Sequence, residues 1–207
     1  MTKRLPLQQN PMFDLFVSTM KILLVDNYDS FTYNLVNIFR KINKTELTVL
    51  QPHEITPGAV RHFDKILFSP GPDIPATGDM MEKLIRDYHR KKSIFGICLG
   101  MEAVALFFGA RLLQLDKPSH GVTKQITVTD DNEPLFRGIS SPFTAGLYHS
   151  WHLDPKTLPP EIKVTSVSND GIIMSVRHAS FDLSGSQFHP ESVMTPQGEQ
   201  MLKNWLK

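Results

Sequence analysis

The chain has 207 residues, 41% of them hydrophobic and 21% charged, and a formal net charge of +1. That length allows one domain with a sizeable core, and the near-neutral charge gives no electrostatic case for nucleic acid or an acidic membrane surface as partner. No apolar run approaches the ~20 residues a bilayer requires. The single cysteine, Cys98, excludes an internal disulfide and points to a reducing, cytoplasmic setting.

Met1–Thr19 carries Lys3, Arg4 and an apolar patch, Met12–Val17, broken by Asp14. The patch is too short and too polar for a signal sequence, so residues 1–19 read as an N-terminal extension and 20–207 as the domain. Lys21–Asp26 is a near-continuous apolar run ending in Asp, which suits a central parallel strand. Asp29 or Ser30 then caps a helix whose Leu35, Ile38, Phe39 and Ile42 share one face. Leu47–Gln51 and Lys65–Ser69 read as the next strands, the latter running into the Pro/Gly-rich loop S-P-G-P-D-I-P. Thr77–Lys92 places Met81, Leu84, Ile85 and Tyr88 on one helical face. Strand and helix alternating in this order predict a doubly wound α/β sheet with right-handed crossovers.

Ser93–Met101, S-I-F-G-I-C-L-G-M, is the stretch with the most chemical content. It reads as a buried strand, a sharp turn at Cys98, and a helix over Leu99–Phe108 with Gly109 as its C-cap. Gly96 and Gly100 bracket the cysteine as G-x-C-x-G, the nucleophile-elbow pattern with sulfur in place of oxygen. A side chain at the tip of such a turn stands clear of its neighbours, and the helix N-terminus behind it favours thiolate over thiol. Beyond Gly109, Gln125–Thr129, Lys163–Ser168, Ile172–Arg177 and Leu183–Phe188 are short strands, with a hairpin turn at Asn169-Asp170-Gly171. These add antiparallel strands to the parallel core, and Gln197–Leu206 closes the chain as a helix.

A catalytic cysteine needs a base, and the base an orienting group. Of the eight histidines, His189 stands out, because Q-F-H-P-E puts Glu191 two residues beyond it. In extended backbone both side chains point the same way, so Glu191 can hold one ring nitrogen and leave the other for the thiol. A surface turn is the competing reading. His149 and His152 form an H-x-x-H pair, but no third ligand has suitable spacing and no metal is expected. Tyr28, Phe31 and Tyr33 are read equally as core or as lining of a partner face.

Seven segments fall in order along 21–207: L-L-V-D-N-Y-D-S-F-T-Y-N-L, F-S-P-G-P, G-I-C-L-G, Y-H-S, D-G-I-I-M-S-V-R-H, Q-F-H-P-E-S and T-P-Q-G-E-Q-M-L-K-N-W-L. Together they resemble the class I glutamine amidotransferases, in particular the glutaminase subunits of anthranilate and aminodeoxychorismate (para-aminobenzoate) synthases. The resemblance implies Cys98 as nucleophile, His189 as proton shuttle and Glu191 as its orienting group. It implies backbone N–H groups of Gly71 and Leu99 as the oxyanion hole, and Gly71, Glu102, Ser150 and Trp151 at the L-glutamine site. No cofactor is implied. The implied partner is a chorismate-binding synthase subunit that receives the ammonia.

The chain departs from the family pattern in places. C-L-G-M-E stands where C-L-G-H-Q is usual, Trp151 stands where leucine is common, and Pro118–Val122 lacks the lysine of an M-H-G-K segment. Glu102 lies one helical turn from Cys98. As an anion ~6 Å away it would oppose thiolate formation by ~2–3 kcal/mol at an effective dielectric near 20. Two other readings follow from this: a stand-alone amide C–N hydrolase of the same fold, or a partner-binding homologue that Met101 and Glu102 have weakened.

Overall fold

The structure, a computed structural model, describes residues 19–56 and 58–207. The extension expected over residues 1–19 therefore lies outside the described residues, apart from Thr19. Nine strands, β1 (Met20–Val25), β2 (Thr45–Leu50), β3 (Lys65–Phe68), β4 (Ser93–Ile97), β5 (Leu112–Val128), β6 (Phe143–Leu153), β7 (Ile162–Ser168), β8 (Ile173–His178) and β9 (Leu183–Ser186), form one sheet among the described residues. Its order is β2-β1-β3-β4-β9-β8-β7-β5-β6. The first five in that order pair in parallel and the remainder antiparallel. Helices α1 (Thr32–Phe39), α2 (Met80–Tyr88), α3 (Leu99–Phe107) and α4 (Gly198–Trp205) complete the fold.

The apolar runs of β1, β3 and β4 follow from burial on both faces of the sheet. Alternate residues serve opposite sides. Ile22, Leu24, Leu67, Phe95 and Ile97 pack with Leu35 and Phe39 of α1 and with Met201, Leu202 and Trp205 of α4. Leu23, Val25, Ile66, Phe68 and Ile94 pack with Met81, Leu84 and Ile85 of α2 and with Val104 of α3. Asp79 caps α2, its carboxylate accepting from Glu82 N–H at 2.8 Å. At α1 the expected cap shifts: Phe31 occupies the N-cap position, and Asp29 instead accepts from the Phe31 N–H at 2.7 Å.

The antiparallel half is more extensive than the sequence suggests. β5 runs for 17 residues, far beyond Gln125–Thr129, and β6 is a strand where none was expected. Both carry many polar residues. Their backbone groups are satisfied by pairing with each other through two register shifts, at Gln114/Ser119 and His120/Val122. The β7–β8 turn forms as expected, Gly171 donating to Ser168 O at 2.9 Å with φ of +82°. Among the described residues, no helix is long and apolar enough to cross a membrane.

Candidate active site

β4 ends at Ile97, and Cys98 turns the chain into α3 with φ of 51° and ψ of −105°, a conformation costly for any residue with a Cβ. Surrounding structure holds it there. Cys98 N–H donates to Ser186 O of the adjacent β9 at 2.7 Å, and Glu102 N–H donates to Cys98 O at 3.0 Å. Close approach of β4 to α3 depends on Gly96, where a Cβ would lie 2.2 Å from the carbonyl carbon of Gly100.

Since β9 runs parallel to β4, the segment after Ser186 emerges beside Cys98. It brings His189 and Glu191, both buried, into contact: His189 Nδ1–H donates to Glu191 Oε1 at 2.7 Å. The pair forms in a turn, with Ser192 N–H donating to His189 O, rather than in the extended backbone expected from the i, i+2 spacing. His189 Nε2 has no hydrogen-bond partner, yet the ring and the Cys98 thiol are near enough to act on each other's proton. Burial works against the imidazolium, but the Glu191 carboxylate and the Cys98 sulfur outweigh it and raise His189 above the ordinary histidine range. Burial holds the Cys98 thiol above its ordinary value, although His189 pulls it part of the way down. Phe31 and Tyr148 wall the imidazole, their ring centroids 5.5 and 4.8 Å from it. The Tyr148 hydroxyl is tied to Ser192 Oγ at 2.9 Å.

In front of the sulfur lies a cavity of about 300 Å³, lined by Cys98, Leu99, Gly71, Glu102, Ser150 and Trp151 among others. All the residues that sequence analysis assigned to oxyanion and substrate binding thus meet at one opening. Leu99 N–H is directed at the Cys98 sulfur. A Cβ at Gly71 would lie 2.6 Å from Leu99 Cδ2 and 2.8 Å from Asn27 O, so only glycine lets the S-P-G-P loop close on the elbow. Ser150 Oγ is 3.2 Å from His120 Nε2. His149 is buried, hydrogen-bonded to Trp151 O at 2.7 Å, and burial drives it down to about 4. No group of three metal-ligating side chains occurs among the described residues.

Met101 does not face this cavity. It is fully buried against Ala105, Leu153, Ile173 and Val176, because its position on α3 points to the sheet. Its divergence from the family pattern is therefore a matter of core packing. Glu102 does face the cavity, but the expectation of a permanent anion needs correction. Burial raises its carboxyl from 4.5 to about 8, against the pull of a hydrogen bond from Gln187, so near neutral pH it is mostly protonated.

The folded chain thus keeps a proton that the unfolded chain releases near pH 4.5. Wherever the native state binds more protons, stability falls as pH rises, here from about pH 4.5 to about pH 8. Glu102→Gln, which cannot ionise, is expected to match the parent near pH 4 and to exceed it by a few kcal/mol above pH 8. Urea unfolding at a series of pH values measures the gap, and a gap constant with pH would refute the buried proton.

The fold and site together define an α/β enzyme that carries its cysteine at a strand-to-helix turn beside a carboxylate-braced imidazole. Comparisons with known proteins narrow this. The family profile described as Glutamine amidotransferase class-I matches residues 23–207. Aminodeoxychorismate synthase component 2 of Klebsiella aerogenes is 41% identical over 187 residues, covering 89% of this chain and 98% of that protein. Aminodeoxychorismate/anthranilate synthase component 2 of Bacillus subtilis is 38% identical over 188 residues, covering 90% and 95%. A glutamine amidotransferase structure from Thermotoga maritima superposes with a TM-score of 0.69 at 17% identity, over 91% of this chain and 81% of that one, a likeness of fold. The chain belongs to the class I glutamine amidotransferases.

Proposed function

We propose that this chain is the glutaminase subunit of a chorismate-aminating synthase. The observation that carries the reading is the meeting of the Cys98 thiol with a histidine braced by Glu191 at the foot of a cavity. His189 Nε2 takes the thiol proton. The thiolate attacks the side-chain carboxamide carbon of L-glutamine, and backbone N–H groups of Leu99 and Gly71 hold the oxyanion. His189 returns the proton to the departing nitrogen, and ammonia leaves. Water, deprotonated by His189, then hydrolyses the thioester to glutamate and frees the thiol. The Glu191 carboxylate keeps Nε2 free for these transfers by holding Nδ1–H.

Relatives named for aminodeoxychorismate and for anthranilate synthases support a chorismate-binding subunit as the acceptor of ammonia. Tyr28 and Tyr33, 59% and 72% exposed, flank Phe31, which touches His189. A partner seated on these aromatics would press on the base itself. The reading sets the reaction in the cytoplasm, where a lone thiol stays reduced.

Ammonia release from glutamine, assayed with and without a chorismate-aminating subunit, tests the proposal. Release that the subunit stimulates is the expected result. Release on another amide without any partner would favour the stand-alone hydrolase. In the assembled complex Glu191→Gln is expected to lower kcat by roughly a hundredfold, because the imidazole loses its fixed tautomer and orientation.

A further inference from the structure

Gln187 lies between the elbow and Glu102 and has no part in the mechanism above. It is fully buried immediately after β9. Its Nε2 donates to Glu102 Oε1 at 3.0 Å and to the Cys98 sulfur at 3.5 Å, while its Oε1 has no hydrogen-bond partner. A primary amide has two N–H groups on one end and only acceptor lone pairs on the other. Here one N–H serves the carboxyl and one serves the sulfur. The carbonyl end is left unpaired in the interior, an arrangement that normally costs free energy. Turning the amide over would move the NH2 to the side that has no partner, leaving both N–H groups unpaired and withdrawing them from Cys98 and Glu102. Something must favour the observed orientation, and a carboxyl group that accepts from Nε2 does so.

We propose that Gln187 is a positioning residue for the nucleophile: clasped by Glu102, its side-chain amide aims an N–H at the Cys98 sulfur and stabilises the thiolate. The inference rests on the reading of Cys98 as nucleophile. When the proton passes from Sγ to His189 Nε2, the S–H bond breaks, an N–H bond forms, and the electron pair stays on sulfur. A hydrogen bond to a charged acceptor is stronger than one to a neutral acceptor, so the Gln187 contact gains strength as the thiolate appears. The charged and titratable groups around the sulfur and its cavity are His189 with its brace Glu191 on the segment after β9, Glu102 on α3, His120 on β5, Tyr148 and His149 on β6, and Asp73 in the loop after β3. Among the described residues, the side-chain N–H with a hydrogen bond to the sulfur is that of Gln187. Glu102, protonated or not, is held in reach of Nε2, so its function in this chain is to fix the amide.

The rate of Cys98 alkylation by iodoacetamide as a function of pH tests the proposal in the full chain. Cys98 is the sole cysteine, so the signal has one source. Gln187→Met keeps the length of the side chain and removes the donor. Its alkylation midpoint is expected to rise by about one pH unit, a tenfold loss of thiolate below the midpoint, with kcat reduced and KM little changed. An unshifted midpoint in the folded variant overturns the proposal. Should Gln187→Met fail to fold, the unsubstituted Gln187 is followed by side-chain amide NMR after assignment of the glutamine side chains. That amide signal is expected to move with the Cys98 midpoint and to stay still when Cys98→Ser is added. No glutamine amide following the midpoint overturns the proposal. Failure of the glutaminase reading would show elsewhere, as no ammonia release from glutamine by the unsubstituted chain with its partner subunit, and failure of the nucleophile assignment as release that survives Cys98→Ser.

Discussion

Replacing Cys98 by serine is expected to lower ammonia release from glutamine by roughly four orders of magnitude or more, with the partner subunit present and the fold intact. The hydroxyl fits the space of the thiol, and the backbone bonds to Ser186 and Glu102 do not involve the side chain. Serine has a far higher pKa than cysteine, so its proton passes to His189 far less readily than the thiol proton does in a site whose geometry is set for sulfur. Whatever rate remains then comes from binding and the oxyanion donors alone. Steady-state ammonia release, alongside thermal unfolding to show that the variant is folded, measures the effect. A serine variant that keeps about a tenth of the parent rate would sink the proposed role of Cys98.

The second large effect is expected at Gly96. Its added Cβ in Gly96→Ala would lie 2.2 and 2.3 Å from the carbonyl carbon and oxygen of Gly100 and 2.6 Å from Met101 N. All three are backbone atoms at the start of α3, so no side chain can swing aside. Strand β4 and helix α3 must separate, and Cys98 sits at the joint. The separation is expected to cost about 3 kcal/mol of stability. Displacement of the sulfur by about 1 Å is expected to cost about a hundredfold in turnover on top of that. Gly58→Ala, where nothing lies within 4 Å, provides the control and is expected to leave both quantities unchanged. Urea unfolding and ammonia release on the two variants separate the contributions. A Gly96→Ala protein as stable and active as the control would show that the joint tolerates widening.

Much of the site was legible because its chemistry is carried by short segments. Gly96, Cys98 and Gly100 occupy five consecutive residues, and His189 and Glu191 occupy three. Local spacing therefore named them. The reason offered for the second pair was nonetheless wrong, since the side chains meet across a turn. Glu102 was singled out for its charge, and burial removes most of that charge near neutral pH. Met101 looked like a change to the site and is a core residue. Gln187 stands within Q-F-H-P-E, and nothing in that segment shows that its amide reaches α3. β6 and most of β5 were missed for a related reason. Their ladder stabilises polar stretches by pairing, and pairing partners far apart in sequence leave no periodic trace in either one.

By itself the sequence determined the parallel core, the elbow and the side chains proposed to react. Apolar runs report burial on both faces, and glycine spacing reports a tight turn, each readable within a few residues. Only the tertiary structure decided which groups face one another: that β9 lies beside β4 and so sets His189 near Cys98, that Glu102 is buried deeply enough to hold its proton, and that an amide stands between carboxyl and sulfur. Proton affinity and hydrogen-bond direction depend on distance and on exclusion of water. Both are properties of segments brought together by folding, and no single segment contains them.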